Sequence, residues 1–261
     1  MSDVESAQQP RTADTHRFID LFAGAGGMSE GFVRAGFIPV AHVESNKAAC
    51  LTLTTRVAYH WLKERQQLDI YHDYLRAKIG RKALYALLPP EQRESVIHAE
   101  ISPGNLETIF NRISGLLKGA ELDLIIGGPP CQAYSVVGRS RDKNGMVGDQ
   151  RNYLYKLYAE FLDCFKPKYF VFENVTGLLS AKDKDGSRYY DNMISLFDKI
   201  GYWTERRVLT ASDYGVLQQR RVILVGNRDR KRGFFPEPQS WKPGVLVREL
   251  LQDLPAIKAG E

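Results

Sequence analysis

No apolar run in this sequence approaches the ~20 residues needed to cross a bilayer, which excludes an integral membrane protein with helical spans. Residues 1–16 are polar and mixed in charge, without the apolar core of a secretory signal. They are expected to form a disordered leader. Cysteine is scarce. Cys50, Cys131 and Cys164 stand at unrelated spacings, so neither a disulfide framework nor a CxxC metal knuckle can be built, and no metal is expected. A reducing, cytoplasmic compartment follows. Internal repeats and low-complexity tracts are missing too. What remains is ordinary globular composition: 261 residues, 43% hydrophobic and 26% charged. Lys plus Arg number 36 against 31 Asp plus Glu, a net charge of +5. That surplus suits a nucleic-acid partner without requiring one.

From Arg17 the pattern alternates between strand and helix. Phe18–Phe22 reads as a buried strand, broken by Gly24, Gly26 and Gly27. A helix from about Ser29 to Ala35 follows, with Ser29 placed to cap it and Gly36 to end it. Phe37–Val43 is a second strand, and Pro39 implies that its first part is not central. Residues 46–94 read as helices. Ser95–Ala99 is a third strand, 105–118 has helical spacing, and Leu122–Ile126 is a fourth strand. A helix over Tyr153–Phe165, a strand at Tyr169–Phe172, a helix near 190–200 and strands at Trp203–Thr210 and Val222–Gly226 complete the series. Such alternation predicts an α/β fold with a mostly parallel, doubly wound sheet. Ligands then sit beyond the carboxyl ends of the strands.

The residues just past those ends carry the unusual chemistry. Phe22-Ala23-Gly24-Ala25-Gly26-Gly27 is a strand-to-helix turn that lets backbone approach a ligand closely. Glu44, at the end of the next strand, can accept both ribose hydroxyls of an adenosine cofactor. The glycine order does not match G-x-G-x-x-G, which disfavours a nicotinamide oxidoreductase. Glu100, past the third strand, could accept from an adenine amino group. Gly127-Gly128-Pro129-Pro130-Cys131-Gln132 holds a thiol on a loop stiffened by two prolines. A thiol is intrinsically nucleophilic even when mostly protonated. Cys50 and Cys164 fall inside helical stretches and read as packing cysteines. Glu173 follows four apolar residues, so desolvation should raise its pKa and help it hold a proton. A thiol and a protonated carboxyl at neighbouring strand ends suit attack on an electron-poor ring, with the acid protonating a ring nitrogen.

At these residues the sequence resembles the cytosine-C5 DNA methyltransferases. The matching segments are Phe18-Ile-Asp-Leu-Phe-Ala-Gly-Ala-Gly-Gly27, Gly128-Pro-Pro-Cys-Gln132 with Ser135 beyond, Glu173-Asn-Val175, and Tyr214-Gly-Val216 leading to Gln219-Arg-Arg221. The resemblance implies a Rossmann-like, seven-stranded methyltransferase fold that uses S-adenosyl-L-methionine. It implies that Cys131 adds to C6 of a flipped cytosine and that Glu173 engages N3 and the exocyclic amine. It adds Arg220 and Arg221 to the catalytic group. Phe22, Ala23, Gly24, Ala25, Gly26, Gly27, Glu44, Glu100, Ile101, Pro130 and Leu154 fall where the family holds the cofactor. Gln132, Ser135 and Arg139 fall on the substrate side, in a basic loop that resembles the segment closing over double-stranded DNA. A base must leave the stack before such chemistry can reach it.

The sequence departs from the family in several places. Ser45 stands where an aromatic residue often follows the acid, and residues 46–94 are longer than the usual connection. Nothing after the arginine motif matches the family's target-recognition region or its last motif. Residues 17–261 are therefore expected to be a catalytic half, working with a C-terminal region or second chain that carries target recognition. The expected setting is a bacterial restriction-modification system. An RNA-methylating branch of the family, or a non-catalytic DNA-binding module, are the other readings.

Overall fold

The computed structural model describes residues 16–130, 153–216, 220–237, 239–240, 249, 252–253 and 255. The leader, apart from His16, lies outside them. Seven strands form one sheet: β1 (Arg17–Leu21), β2 (Ile38–Glu44), β3 (Val96–His98), β4 (Leu124–Gly127), β5 (Tyr169–Asn174), β6 (Trp203–Thr210) and β7 (Arg220–Asn227). Their spatial order is β3-β2-β1-β4-β5-β7-β6. The pairs from β3 to β5 are parallel, whereas β7 runs antiparallel to both β5 and β6. The expected mostly parallel, doubly wound sheet is present.

Parallel strands buried on both faces are near-continuous apolar runs; β4 reads this way as Leu-Ile-Ile-Gly, and β1, Arg-Phe-Ile-Asp-Leu, does so apart from Arg17 at its start and the buried Asp20. Alternate residues serve opposite layers. Ile19, Leu21, Ile125, Phe170 and Phe172 pack against α6 (Leu106–Leu117), α7 (Leu154–Phe165) and α8 (Tyr189–Lys199). Phe18, Leu124 and Ile126 meet Met28, Phe32 and Val33 of α1 (Gly27–Arg34) on the other face. Pro39 pairs with Phe18 of β1, while β3 reaches only His42, Val43 and Glu44. The missing N–H therefore falls in the part of β2 that has one neighbour, as its position predicted.

The helical stretch after β2 contains α2 (Lys47–Glu64), α3 (Leu68–Leu75), α4 (Arg81–Ala86) and α5 (Pro90–Glu94). It has its own small core of Ala58, Leu62, Leu84 and Leu88. Tyr85 pins α4 to α2, donating to the Leu51 carbonyl at 2.5 Å. Among the described residues no helix is long and apolar enough to cross a membrane.

Two expectations are corrected. Ser29 does not cap α1, which starts two residues earlier behind Gly26, at φ +82. Ser29 is instead buried and meets His42 Nε2 at 2.8 Å, tying α1 to β2. Burial pulls His42 down to about 4, so the ring is neutral at pH 7. Cys164 is not a packing residue either. It lies on the exposed side of α7, whereas Cys50 is buried as expected.

Gly226 faces Phe170 across the β5–β7 pairing, and a Cβ there would fall inside the Phe170 ring. Gly226→Ala should therefore lower the free energy of unfolding by about 1–3 kcal/mol, the usual range for overpacking. Urea denaturation of both proteins checks this, and unchanged stability would contradict the packing described.

Candidate active site

The glycine turn is built by backbone geometry. Phe22, Gly24 and Gly26 all have positive φ, at 56°, 54° and 82°. Gly26 is required twice over, because a Cβ there would also lie 2.8 Å from Leu53 Cδ2. The turn is held to β2 by the Ala23 N–H, which donates to the Val43 carbonyl at 3.2 Å, and by the Gly24 N–H, which donates to Glu44 Oε2 at 2.8 Å.

Beyond the carboxyl ends of β1 to β4 lies a cavity of about 630 Å³. Six of the residues expected at the cofactor line it: Phe22, Glu44, Glu100, Ile101, Pro130 and Leu154. Ala23, Gly24, Ala25, Gly26 and Gly27 do not. They form the turn beside it, and Gly26 borders a second cavity of about 390 Å³ between α1 and α2. Tyr153, Lys156, Ser102 and Pro103 also line the first cavity and were not anticipated. No motif marks them; they arrive because α7 and the segment after β3 fold over the strand ends.

The Glu44 carboxylate accepts from Gly24 N–H on Oε2, and from Asn46 N–H at 2.7 Å and the Ser45 hydroxyl at 3.3 Å on Oε1. A carboxylate offers about four acceptor positions. One is left on Oε2, and the long Ser45 contact is the weakest of those in use. A diol could thus be taken at both oxygens if Ser45 yields. Glu100 is exposed just past β3, the strand next to that of Glu44.

The second cluster sits where β4 and β5 end and the antiparallel β7 begins. A Cβ on Gly127 would lie 2.7 Å from the Leu21 carbonyl oxygen. One on Gly128 would lie 2.7 Å from Glu173 Oε2, so this glycine is what lets the carboxyl approach the loop after β4. Asn174 donates to the Pro129 carbonyl at 3.3 Å and holds that loop from β5. Arg221 Nε lies 3.1 Å from Glu173 Oε1. Burial raises the Glu173 pKa, and Arg221 offsets only part of the rise. The arrangement can keep a proton on Glu173 or give it to a bound base. Cys131, Gln132, Ser135 and Arg139 lie outside the described residues, as does the side chain of Arg220.

The strand order, and a cavity at the strand ends beside a glycine turn, define a Rossmann-like methyltransferase fold. A family model for C-5 cytosine-specific DNA methylase matches residues 16–79 and 96–256, and the chain belongs to that family. The model passes over residues 80–95, which hold α4 and α5. Type II methyltransferase M.Bpa9945I of Bacillus paralicheniformis is 38% identical over 92% of this chain and 61% of its own length. Type II methyltransferase M.XorII of Xanthomonas oryzae is 34% identical over 91% of this chain and 46% of its own. The chain thus spans about half the length of these relatives. Among solved structures, a protein described as a DNA modification methyltransferase encoded within an E. coli prophage superposes with a TM-score of 0.59 at 25% identity, covering 93% of this chain and 56% of that one. The Entamoeba histolytica methyltransferase EhMeth gives 0.54 at 15% identity, over 88% of this chain and 58% of that one, a likeness of fold.

The raised Glu173 pKa has a consequence for stability. A carboxyl that binds its proton more tightly when folded makes the folded state lose stability as pH rises from the unfolded pKa through the folded one. Glu173→Gln removes that loss. The stability of the variant relative to the native chain should therefore climb as pH rises above the ordinary glutamate pKa of about 4.3. Denaturation series across that range read the slope, and a falling difference would contradict the desolvated carboxyl.

Proposed function

We propose that residues 17–261 are the catalytic half of an S-adenosyl-L-methionine-dependent DNA (cytosine-5-)-methyltransferase of a restriction-modification system, with target recognition supplied by a further region or chain. The observation that carries the reading is the join of two features. A cavity suited to a nucleoside opens beside the glycine turn, and a largely buried carboxyl, Glu173, stands at the neighbouring strand end against Gly128.

The residues present fit the cofactor. Phe22, Ile101, Pro130 and Leu154 offer apolar walls, and Glu44 offers the acceptor that a ribose needs. About 630 Å³ is within the ordinary range for such sites. The cofactor supplies an electrophilic methyl group. The other steps belong to the chain. The Cys131 sulfur forms a bond to C6 of the flipped cytosine while Glu173 holds a proton at N3. Electron density moves to C5, which takes the methyl group. The C5 proton then passes to water, and the electron pair of the C5–H bond restores the C5–C6 double bond. The C6–sulfur bond breaks to release the Cys131 thiolate, and N3 returns its proton to Glu173. Arg221, from β7, keeps Glu173 in place at the end of β5. Gln132, Ser135 and Arg139 serve the DNA side.

Calorimetric titration with S-adenosylhomocysteine, with NAD as control, tests the cofactor class. Saturable binding of the former alone is expected, and binding of NAD alone overturns the reading. Glu44→Ala should weaken that binding by roughly 1–3 kcal/mol, the scale of charge-assisted hydrogen bonds left unmade. With the target-recognition part supplied, the enzyme should be trapped covalently on 5-fluorocytosine DNA, and Cys131→Ser should abolish trapping. The same assay on transfer RNA separates the RNA-methylating reading.

A further inference from the structure

Among the described residues lining the 630 Å³ cavity, the aromatic rings are Phe22 and Tyr153. The β2 side contributes Val43, Glu44 and Ser45, none of them aromatic. Tyr153 is held on three sides. Its hydroxyl donates to Asp183 Oδ1 at 2.8 Å, its ring meets Tyr189 edge-to-face at 6.0 Å, and Lys156 Nζ lies 4.8 Å from its centroid. Asp183 is not a cavity residue. It sits on the turn before α8, and its Oδ1 also accepts the Tyr189 hydroxyl at 3.1 Å and the Lys184 N–H at 2.7 Å. Tyr189 is buried at the first position of α8. Tyr153 thus lines the cavity with its ring orientation fixed from a second element by the carboxylate of Asp183.

We propose that Tyr153 is the aromatic wall that recognises the flat base of the adenosine cofactor, and that Asp183 is the positioning residue that sets the angle of that wall. This rests on the reading of the cavity as the cofactor site. An aromatic face gives a planar heterocycle a contact beyond simple burial. Fixing the ring in advance lowers the ordering cost on binding. Asp183 therefore acts on affinity only through Tyr153.

The test is a double-mutant cycle on S-adenosylhomocysteine affinity, measured by calorimetry on the full chain, with melting temperature recorded in parallel. Tyr153→Leu should weaken binding about tenfold, as expected for loss of an aromatic contact. Tyr153→Phe and Asp183→Ala should each weaken it about threefold, the effect of one hydrogen bond. Asp183→Ala placed on Tyr153→Phe should cost no further affinity, whatever it does to the melting temperature. Asp183→Asn, which keeps an acceptor, should stay within about twofold of the native value. If the native chain binds and the losses from Asp183→Ala and Tyr153→Phe simply add, or Tyr153→Leu binds normally, the inference fails alone. If the native chain shows no saturable binding, the reading of the cavity fails and takes the inference with it. Should Asp183→Ala not fold, Tyr153→Leu and Asp183→Asn still decide the matter.

Discussion

The hydrogen bond from Gly24 N–H to Glu44 Oε2, 2.8 Å long, joins the two strand ends on which the cavity depends. After β1 the backbone must turn sharply enough to start α1 without covering the end of the sheet. It does so by adopting positive φ at Phe22, Gly24 and Gly26. At Phe22, a residue with a large side chain, that conformation costs on the order of 1–3 kcal/mol. A charge-assisted hydrogen bond offsets a cost of that size. The same carboxylate also takes the Asn46 N–H and so positions the start of α2. One acid at the end of β2 thereby fixes the first turn, the second helix and one wall of the cavity.

The other half of the site depends on the change of direction in the sheet. β7 inserts antiparallel beside β5, bringing Arg221 from the far end of the chain to within 3.1 Å of Glu173. Two influences then oppose each other at one carboxyl. Burial favours the protonated form and the guanidinium favours the anion. Burial wins, because Arg221 is itself about half exposed and its field is screened. Gly128 and Asn174 complete the arrangement. One leaves room for the carboxyl, and the other holds the Pro129 carbonyl against the sheet. The loop carrying Cys131 thus leaves the sheet from a backbone already tied to Glu173's own strand.

Much of this was legible in the residues. Strands such as Phe-Ile-Asp-Leu-Phe and Leu-Asp-Leu-Ile-Ile are too apolar for anything but a buried sheet. The acids Glu44 and Glu173 end such runs, and ligands gather there in parallel sheets. Ser29 shows where local reasoning stops. A serine near a helix start is a capping signal, yet here His42 of β2 competes for its hydroxyl. A cross-element partner of that kind has no signature in sequence. Cys164 was misread for a related reason, since helical spacing alone did not tell which side of α7 faced the sheet. Tyr153 and Asp183 are thirty residues apart and share no motif, so only the packing of α7 on α8 reveals their contact.

The cavity walls differ in kind. The β2 side is polar and held by backbone, with Glu44 bonded directly to the turn. The α7 side is mainly apolar and aromatic, with Tyr153, Leu154 and Leu157 beside the cation Lys156, on a helix whose inner face is packed through Tyr158, Phe161 and Leu162. A sugar needs acceptors and a base needs a flat apolar surface, so such a division sets the orientation of a nucleoside before any specific contact forms. Each wall is also rigid for its own reason. Hydrogen bonds hold the first, and burial of large side chains holds the second. A substitution in the α7 core would therefore reach the site by tilting a wall, whereas one at Glu44 would both remove an acceptor and release the turn.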